Sequence, residues 1–141
     1  MASVLSAKSA WMKGLAMKDF TIEVKTILAE YAEDVQRASD TACEQIAKEA
    51  VAKLKATSPK RTKGRTAGRY ARGWSIKRDP GTRSVTVYNK TDPQLTHLLE
   101  NSHVIRNKKG TYGRTTPKKH IEPVEQWAKE ALPKEIERLL R

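Results

Sequence analysis

The chain has 141 residues, enough for one domain with a single modest core. Hydrophobic residues make up 38% and charged residues 31%, so part of the chain lies outside such a core or is ordered by partner subunits. The net charge of +12 favours nucleic acid, anionic surfaces or acidic protein partners, while the lone Cys43 excludes an intrachain disulfide and no apolar run nears the ~20 residues of a membrane span.

Residues 1–20 mix Val4, Leu5, Trp11, Leu15 and Phe20 with Lys8, Lys13 and Lys18. They are expected to form an N-terminal arm ahead of a single domain at 21–141. Such an arm is either loose or docked through Trp11 on a neighbouring subunit. The lysines interrupt any apolar run, so neither a signal peptide nor a membrane-surface helix is favoured.

Residues 21–56 carry apolar positions at Val24, Ile27, Leu28, Tyr31, Val35, Ala38, Ala42, Ile46, Ala50, Val51 and Leu54. Steps of three and four predict one long helix, capped by Thr21 and roughly 50 Å long. That exceeds what a small core covers, so one part is expected on a sheet and another on a second subunit. The alanines at its middle permit close approach. Cys43 falls among them and reads as a small core residue, which fits a reducing, intracellular site of synthesis.

Ser58-Pro59 ends this helix. The next stretch, through Lys60, Arg61, Lys63, Arg65, Arg69 and Arg72, holds no acid and three glycines. It is either a solvated loop or one that faces phosphate or an acidic partner. It contains no phosphate-binding G-x-x-x-x-G-K-[ST] pattern, so nucleotide hydrolysis has no support.

Residues 74–79 and 84–89 predict a β-hairpin around Asp79-Pro80-Gly81-Thr82, with proline presetting φ and Gly81 taking a positive φ. Trp74 and Ile76 would share one face. A short helix follows at 93–101, with Asp92 as its cap and Pro93 at its first position. A second acid-free loop then carries Arg106, Lys108, Lys109, Arg114, Lys118 and Lys119. Residues 103–106 and 119–122 are candidate strands to close the sheet. The last helix, 123–141, opens at Pro123 and should kink or restart at Pro133.

All three histidines, His97, His103 and His120, lie between 97 and 120. His97, Glu100 and His103 are spaced by three, a spacing that can hold zinc on a helix, but the pattern is not H-E-x-x-H. A nuclease using His103 or His120 lacks the clustered carboxylates that hold magnesium. The favoured reading gives these histidines backbone hydrogen bonds at element junctions, with no catalytic or metal role.

Taken in order, SPKRT-K-G (58–64), RGWSIKR (72–78), V-x-V-Y-N-K (85–90), QLTHLLENSH (94–103) and K-x-HIEPVEQW (118–127) form a set. Together they resemble the tail-completion, or head–tail joining, proteins of long-tailed bacteriophages and prophages. The resemblance runs from about 22 to 135. Ser102 stands where that family commonly has glycine, and Lys119 where proline commonly precedes the histidine.

The resemblance implies an α+β fold, with a long N-terminal helix and a C-terminal helix packed on a small antiparallel β-sheet. It implies a non-enzymatic virion protein with no cofactor, made in the host cytoplasm and placed at the phage neck. There it would form a homo-oligomeric ring of six subunits between a head-completion (stopper or connector) protein and the tail tube, with DNA passing non-specifically through the lumen. On that reading Lys60, Arg61, Arg65, Arg69, Arg106, Lys108, Lys109 and Arg114 are interface residues, and Trp74, His97, Leu98, Glu100, His120 and Trp127 fix the fold. The competing expectations are a small basic DNA-binding protein and a metal-dependent nuclease.

Overall fold

The computed structural model describes residues 17–141, with side chains from residue 23 onward. Most of the expected arm, including Trp11, lies outside the described residues.

The first helix, α1 (Met17–Thr57), has 41 residues and spans about 60 Å. It begins at Met17, so Thr21 lies within the helix and does not cap it. At its other end Thr57 Oγ1 donates to the Lys53 carbonyl and Ser58 N–H to that of Leu54, both at 2.8 Å. Pro59 then offers no N–H to continue the ladder. The predicted stripe is the buried one: Ala38, Ala42, Ile46, Ala47, Ala50 and Leu54 are all buried, Ala42 completely.

The segment after α1 is not loop throughout. One helical turn, α2 (Arg69–Arg72), interrupts it because Tyr70 and Ala71 are core residues. Strands β1 (Trp74–Asp79) and β2 (Ser84–Asn89) pair antiparallel, Trp74 opposite Asn89 and Ile76 opposite Val87. Both strands pack on α1. Trp74 and Ile76 do share a face, completed across the hairpin by Val85, Val87 and Asn89.

The turn between the strands corrects one detail. Asp79 Oδ1 accepts from Gly81 N–H at 2.9 Å, but the residue at positive φ is Arg83 (57°), not Gly81. The turn holds four residues, and the left-handed step falls at its exit. Arg83 is thereby aimed at α1, where its guanidinium lies 3.9 Å from Asp40, while Arg78 pairs with Glu44.

Helix α3 (Leu95–Glu100) follows. Asp92 does not cap it. Its carboxylate is taken by Arg69, 3.4 Å away, and Gln94 holds the cap position without a side-chain bond. Strands β3 (Val104–Asn107) and β4 (Gly110–Arg114) then pair only with each other. The expected closure of the first sheet by 103–106 and 119–122 therefore does not occur, and the described residues hold two separate two-stranded sheets. Strand β3 matches the candidate strand at 103–106, but its partner β4 lies inside what was expected to be loop. Asn107 Oδ1 accepts from Lys109 N–H at 2.8 Å to close the tip of this hairpin. Gly110 and Gly113 take φ of +143° and +109°, values that disfavour any side chain.

Residues 121–122 are helical because α4 runs Ile121–Leu140. Pro123 sits in the first turn, where its missing N–H costs nothing. Pro133 does not restart the helix, which continues through it.

Helix α4 lies antiparallel on α1. Val124 joins Ala50, Leu54, Tyr70 and Trp74 in the core. Lys53 Nζ stands 4.6 Å from the Trp127 ring centroid, and Leu139 and Leu140 lie beside Asp34 and Ala38. The fold is α+β, as expected. Gly73 marks its tightest approach: a Cβ there would lie 2.0 Å from Thr91 Oγ1 and 2.7 Å from Asn89 Oδ1. Gly73→Ala is expected to cost about 2 kcal/mol by overpacking, read as a lowered urea midpoint.

Candidate functional site

The crossing from α3 to α4 is built on three buried polar groups. Glu100 closes α3 and is only 9% exposed. Its carboxylate accepts the backbone N–H groups of His120 (2.9 Å), Ile121 (3.0 Å) and Glu122 (2.9 Å). These are orphan donors at the start of α4, so a side chain 20 residues upstream caps that helix. Burial alone would raise the Glu100 pKa. The three N–H bonds outweigh it, and the carboxyl is held below its ordinary value.

His120, 2% exposed, is bonded at both ring nitrogens. Nδ1 lies 2.7 Å from the Lys118 carbonyl and 3.1 Å from Glu100 Oε2. A carbonyl can only accept, so Nδ1 carries the proton and donates. In the neutral ring Nε2 then accepts from Tyr70 O–H at 2.8 Å. Burial, with the nearby Glu100 charge, pushes the Tyr70 phenol up to about 12. Its contribution to stability is complete below the unfolded value near 10 and is lost only as pH rises toward 12.

Two further polar contacts hold the same core. Trp74 Nε1 donates to Ser58 Oγ at 2.7 Å, tying β1 to the end of α1. Asn89 Nδ2 donates to the Tyr70 carbonyl at 2.7 Å, and its Oδ1 accepts from the N–H groups of Thr91 and Asp92. Among the described residues no buried side-chain nitrogen or oxygen lacks a hydrogen-bond partner.

The histidines do not converge. His97 is exposed on α3, beside the half-exposed Leu98. His103 Nδ1 lies 3.1 Å from the Leu98 carbonyl and 3.0 Å from Thr115 Oγ1, at the root of the β3–β4 hairpin. Glu100 is spent on backbone. Among the described residues no three His, Cys, Asp or Glu side chains come together to hold a metal ion.

The basic residues form two projections. Lys60, Arg61 and Arg65 lie exposed between α1 and α2, without ion pairs among the described residues. Arg69 differs, being held by Asp92 and by the Thr91 carbonyl at 3.2 Å. Arg106, Lys108 and Lys109 stand on the β3–β4 hairpin, again without an ion pair among the described residues. Arg114, at the hairpin root, donates to Ser102 Oγ at 3.2 Å. The two basic segments meet in one groove of about 430 Å³, where Lys60, Arg61 and Arg69 face Lys118 over a floor of Tyr70, Leu95 and Leu99. Asp92 is its only acid.

Local sequence does not give the buried polar roles of Tyr70, Ser58 and Asn89. Tyr70 sits in an arginine-rich stretch, and nothing local signals that it is core. Trp74 and Trp127, which were singled out, lie respectively in the core and packed against it.

Among the described residues no helix is long and apolar enough to cross a membrane. Comparison with known proteins yields one family model, described as "Bacteriophage HK97-gp10, putative tail-component", which matches residues 22–101. The matched stretch spans α1 to α3 and covers more than half of the chain. Neither curated proteins nor solved structures give a match.

Proposed function

This chain belongs to the HK97-gp10-like family of bacteriophage tail components, and from that premise we propose that it is a non-enzymatic subunit of a ring at the phage neck. Family membership makes it a structural tail component of the virion that assembles with other virion proteins. The finer reading is our own. Subunits associate into a ring, six by the family resemblance, between a head-completion protein and the tail tube. DNA passes through the lumen without sequence-specific contact.

One observation carries this reading. Two acid-free basic segments project from a scaffold whose buried polar groups are all satisfied, and one of them is a hairpin exposed at every residue. A two-stranded hairpin alone is marginally stable in water, so such an element has its use against a partner. Lys60, Arg61, Arg65, Arg106, Lys108 and Lys109 are available to the lumen or to neighbouring rings. Glu100, His120, Trp74 and Trp127 hold the scaffold behind them.

The test is solution mass by light scattering, with and without purified tails. Oligomers, or co-sedimentation with tails, are expected. A protein that stays monomeric and never sediments with tails overturns the reading. The same unpaired cations favour a second reading, a small DNA-binding protein. It requires the isolated chain to bind free DNA, with affinity falling about tenfold or more as salt rises through the physiological range. The ring reading expects weak binding at most.

A further inference from the structure

The fold leaves two complementary surfaces at opposite ends of α1. The first is the β3–β4 hairpin. Val104, Ile105 and Tyr112 are exposed on it, with Ile105 opposite the bulge at Tyr112–Gly113. Between residues 104 and 114 it carries Arg106, Lys108, Lys109 and Arg114 and no acid.

The second is the N-terminal half of α1. Helix α4 ends beside Asp34 and Ala38, so about 25 Å of α1 extends beyond it. The buried stripe does not stop there. It continues through Val35, Tyr31, Leu28 and Val24 at helical spacing, with Leu28 and Tyr31 each 62% exposed. Residues 23–35 hold four acids and one lysine. Glu23 and Glu30, seven apart and so on one side, border the apolar stripe without ion pairs among the described residues.

We propose that the hairpin of one copy docks on the projecting half of α1 of a second copy. Ile105 and Tyr112 lie against Leu28 and Tyr31, and Arg106, Lys108 and Lys109 face Glu23 and Glu30. The inference rests on the assembly reading above and names its subunit contact. Charge complementarity selects the occupant: a basic apolar ribbon meets an acidic apolar helix face, both supplied by this chain.

The contact cannot form within one copy. The hairpin lies in the chain between α3 and α4, whose Leu99, Ile121 and Val124 pack with Ala50 and Leu54 of α1. From Ala50 to Tyr31 along the helix is about 28 Å, whereas a five-residue strand reaches about 17 Å. Because the two surfaces differ, the contact is head-to-tail, and its repetition yields a closed ring or a filament.

The experiment uses the full chain in a Cys43→Ser background, with Tyr31→Cys and Tyr112→Cys in the same molecule. It is oxidised at concentrations where the parent self-associates, or on purified tails if it does so only there. Expected is a ladder of interchain disulfides, absent from either single-cysteine variant. Should the cysteine variants not fold, a charge swap decides. Lys108→Glu/Lys109→Glu and Glu23→Lys/Glu30→Lys should each weaken self-association at least about tenfold, and the two combined should restore it. Self-association by the parent with no 31–112 ladder, or with no restoration in the swap, overturns this contact and leaves the ring reading standing. A parent that is monomeric both alone and on tails overturns both.

Discussion

Glu100→Ala is expected to cost about 3 kcal/mol of stability. The carboxylate accepts three backbone N–H groups at 2.9–3.0 Å from a nearly dry position. An ordinary cap is worth about 1 kcal/mol, and bonds to a charged group about 1.5–3 each. Alanine leaves the donors of the first turn of α4 without a partner and withdraws one neighbour from His120 Nδ1. Glu100→Gln keeps the shape and one acceptor oxygen but not the charge, and is expected to lose about half as much. Urea unfolding monitored by circular dichroism gives both numbers.

The sign of the pH dependence follows from the lowered pKa. A carboxyl whose folded value lies below its unfolded one, near 4.3, adds stability in full above that unfolded value. The contribution fades as pH falls through the folded value. The gap between the parent and Glu100→Gln should therefore be widest at neutral pH and narrow progressively below about pH 4. A gap that is unchanged at low pH would assign the loss to packing and remove the cap.

Trp74→Ala is expected to be the most damaging substitution in the core, at about 4 kcal/mol. The indole is buried, lies edge-on to Tyr70 with centroids 5.7 Å apart, and stands 6.3 Å from the His120 ring. Its loss opens a cavity where α1, α2, β1 and α4 meet, and it strands Ser58 Oγ. Trp74→Phe fills most of the space but cannot donate to Ser58, so a loss of about 2 kcal/mol is expected. Against the 5–15 kcal/mol typical of a whole domain, the alanine variant should be partly unfolded at 37 °C. Thermal unfolding of the two variants separates the volume from the hydrogen bond.

How far the fold can be read from sequence depends on the range of the interaction that decides each element. The apolar stripe of α1 is local, and it gave both the helix and its buried face. The Asp79-Pro80 turn gave the first hairpin. What misleads is local chemistry captured by a distant group. Asp92 has the composition of a helix cap but is claimed by Arg69. Residues 119–122 have the look of a strand, but 121–122 become the start of a helix because Glu100 takes the N–H groups of His120, Ile121 and Glu122. Arg83 rather than Gly81 bears the positive φ, since a four-residue turn moves that step to its exit. Of the second hairpin, β3 was legible as the candidate strand 103–106, whereas β4 was hidden in a basic stretch that resembles a solvated loop, although Gly110 and Gly113 stood at the positions that shape it.

The basic residues of the two segments were legible as composition, whereas the meeting of Lys60, Arg61 and Arg69 with Lys118 beside Leu95 and Leu99 was not. That meeting depends on how far Pro59 turns the chain back and on where Lys118 returns. The Lys118 N–H donates to the Leu99 carbonyl at 2.7 Å, a register that no pattern encodes.

The bond from Glu100 to His120 also has a consequence for how this architecture can vary. It closes residues 101–119 into a cassette whose two ends are stitched together, at Glu100 and again at His103 and Thr115. Inside the inner stitch, residues 104–114 are exposed throughout. For a flexible insert, doubling the length costs only about 0.6 kcal/mol in closure entropy. The segment is thus free to be lengthened, trimmed or exchanged while the body that carries it stays the same. The family match itself ends at residue 101, where the cassette begins.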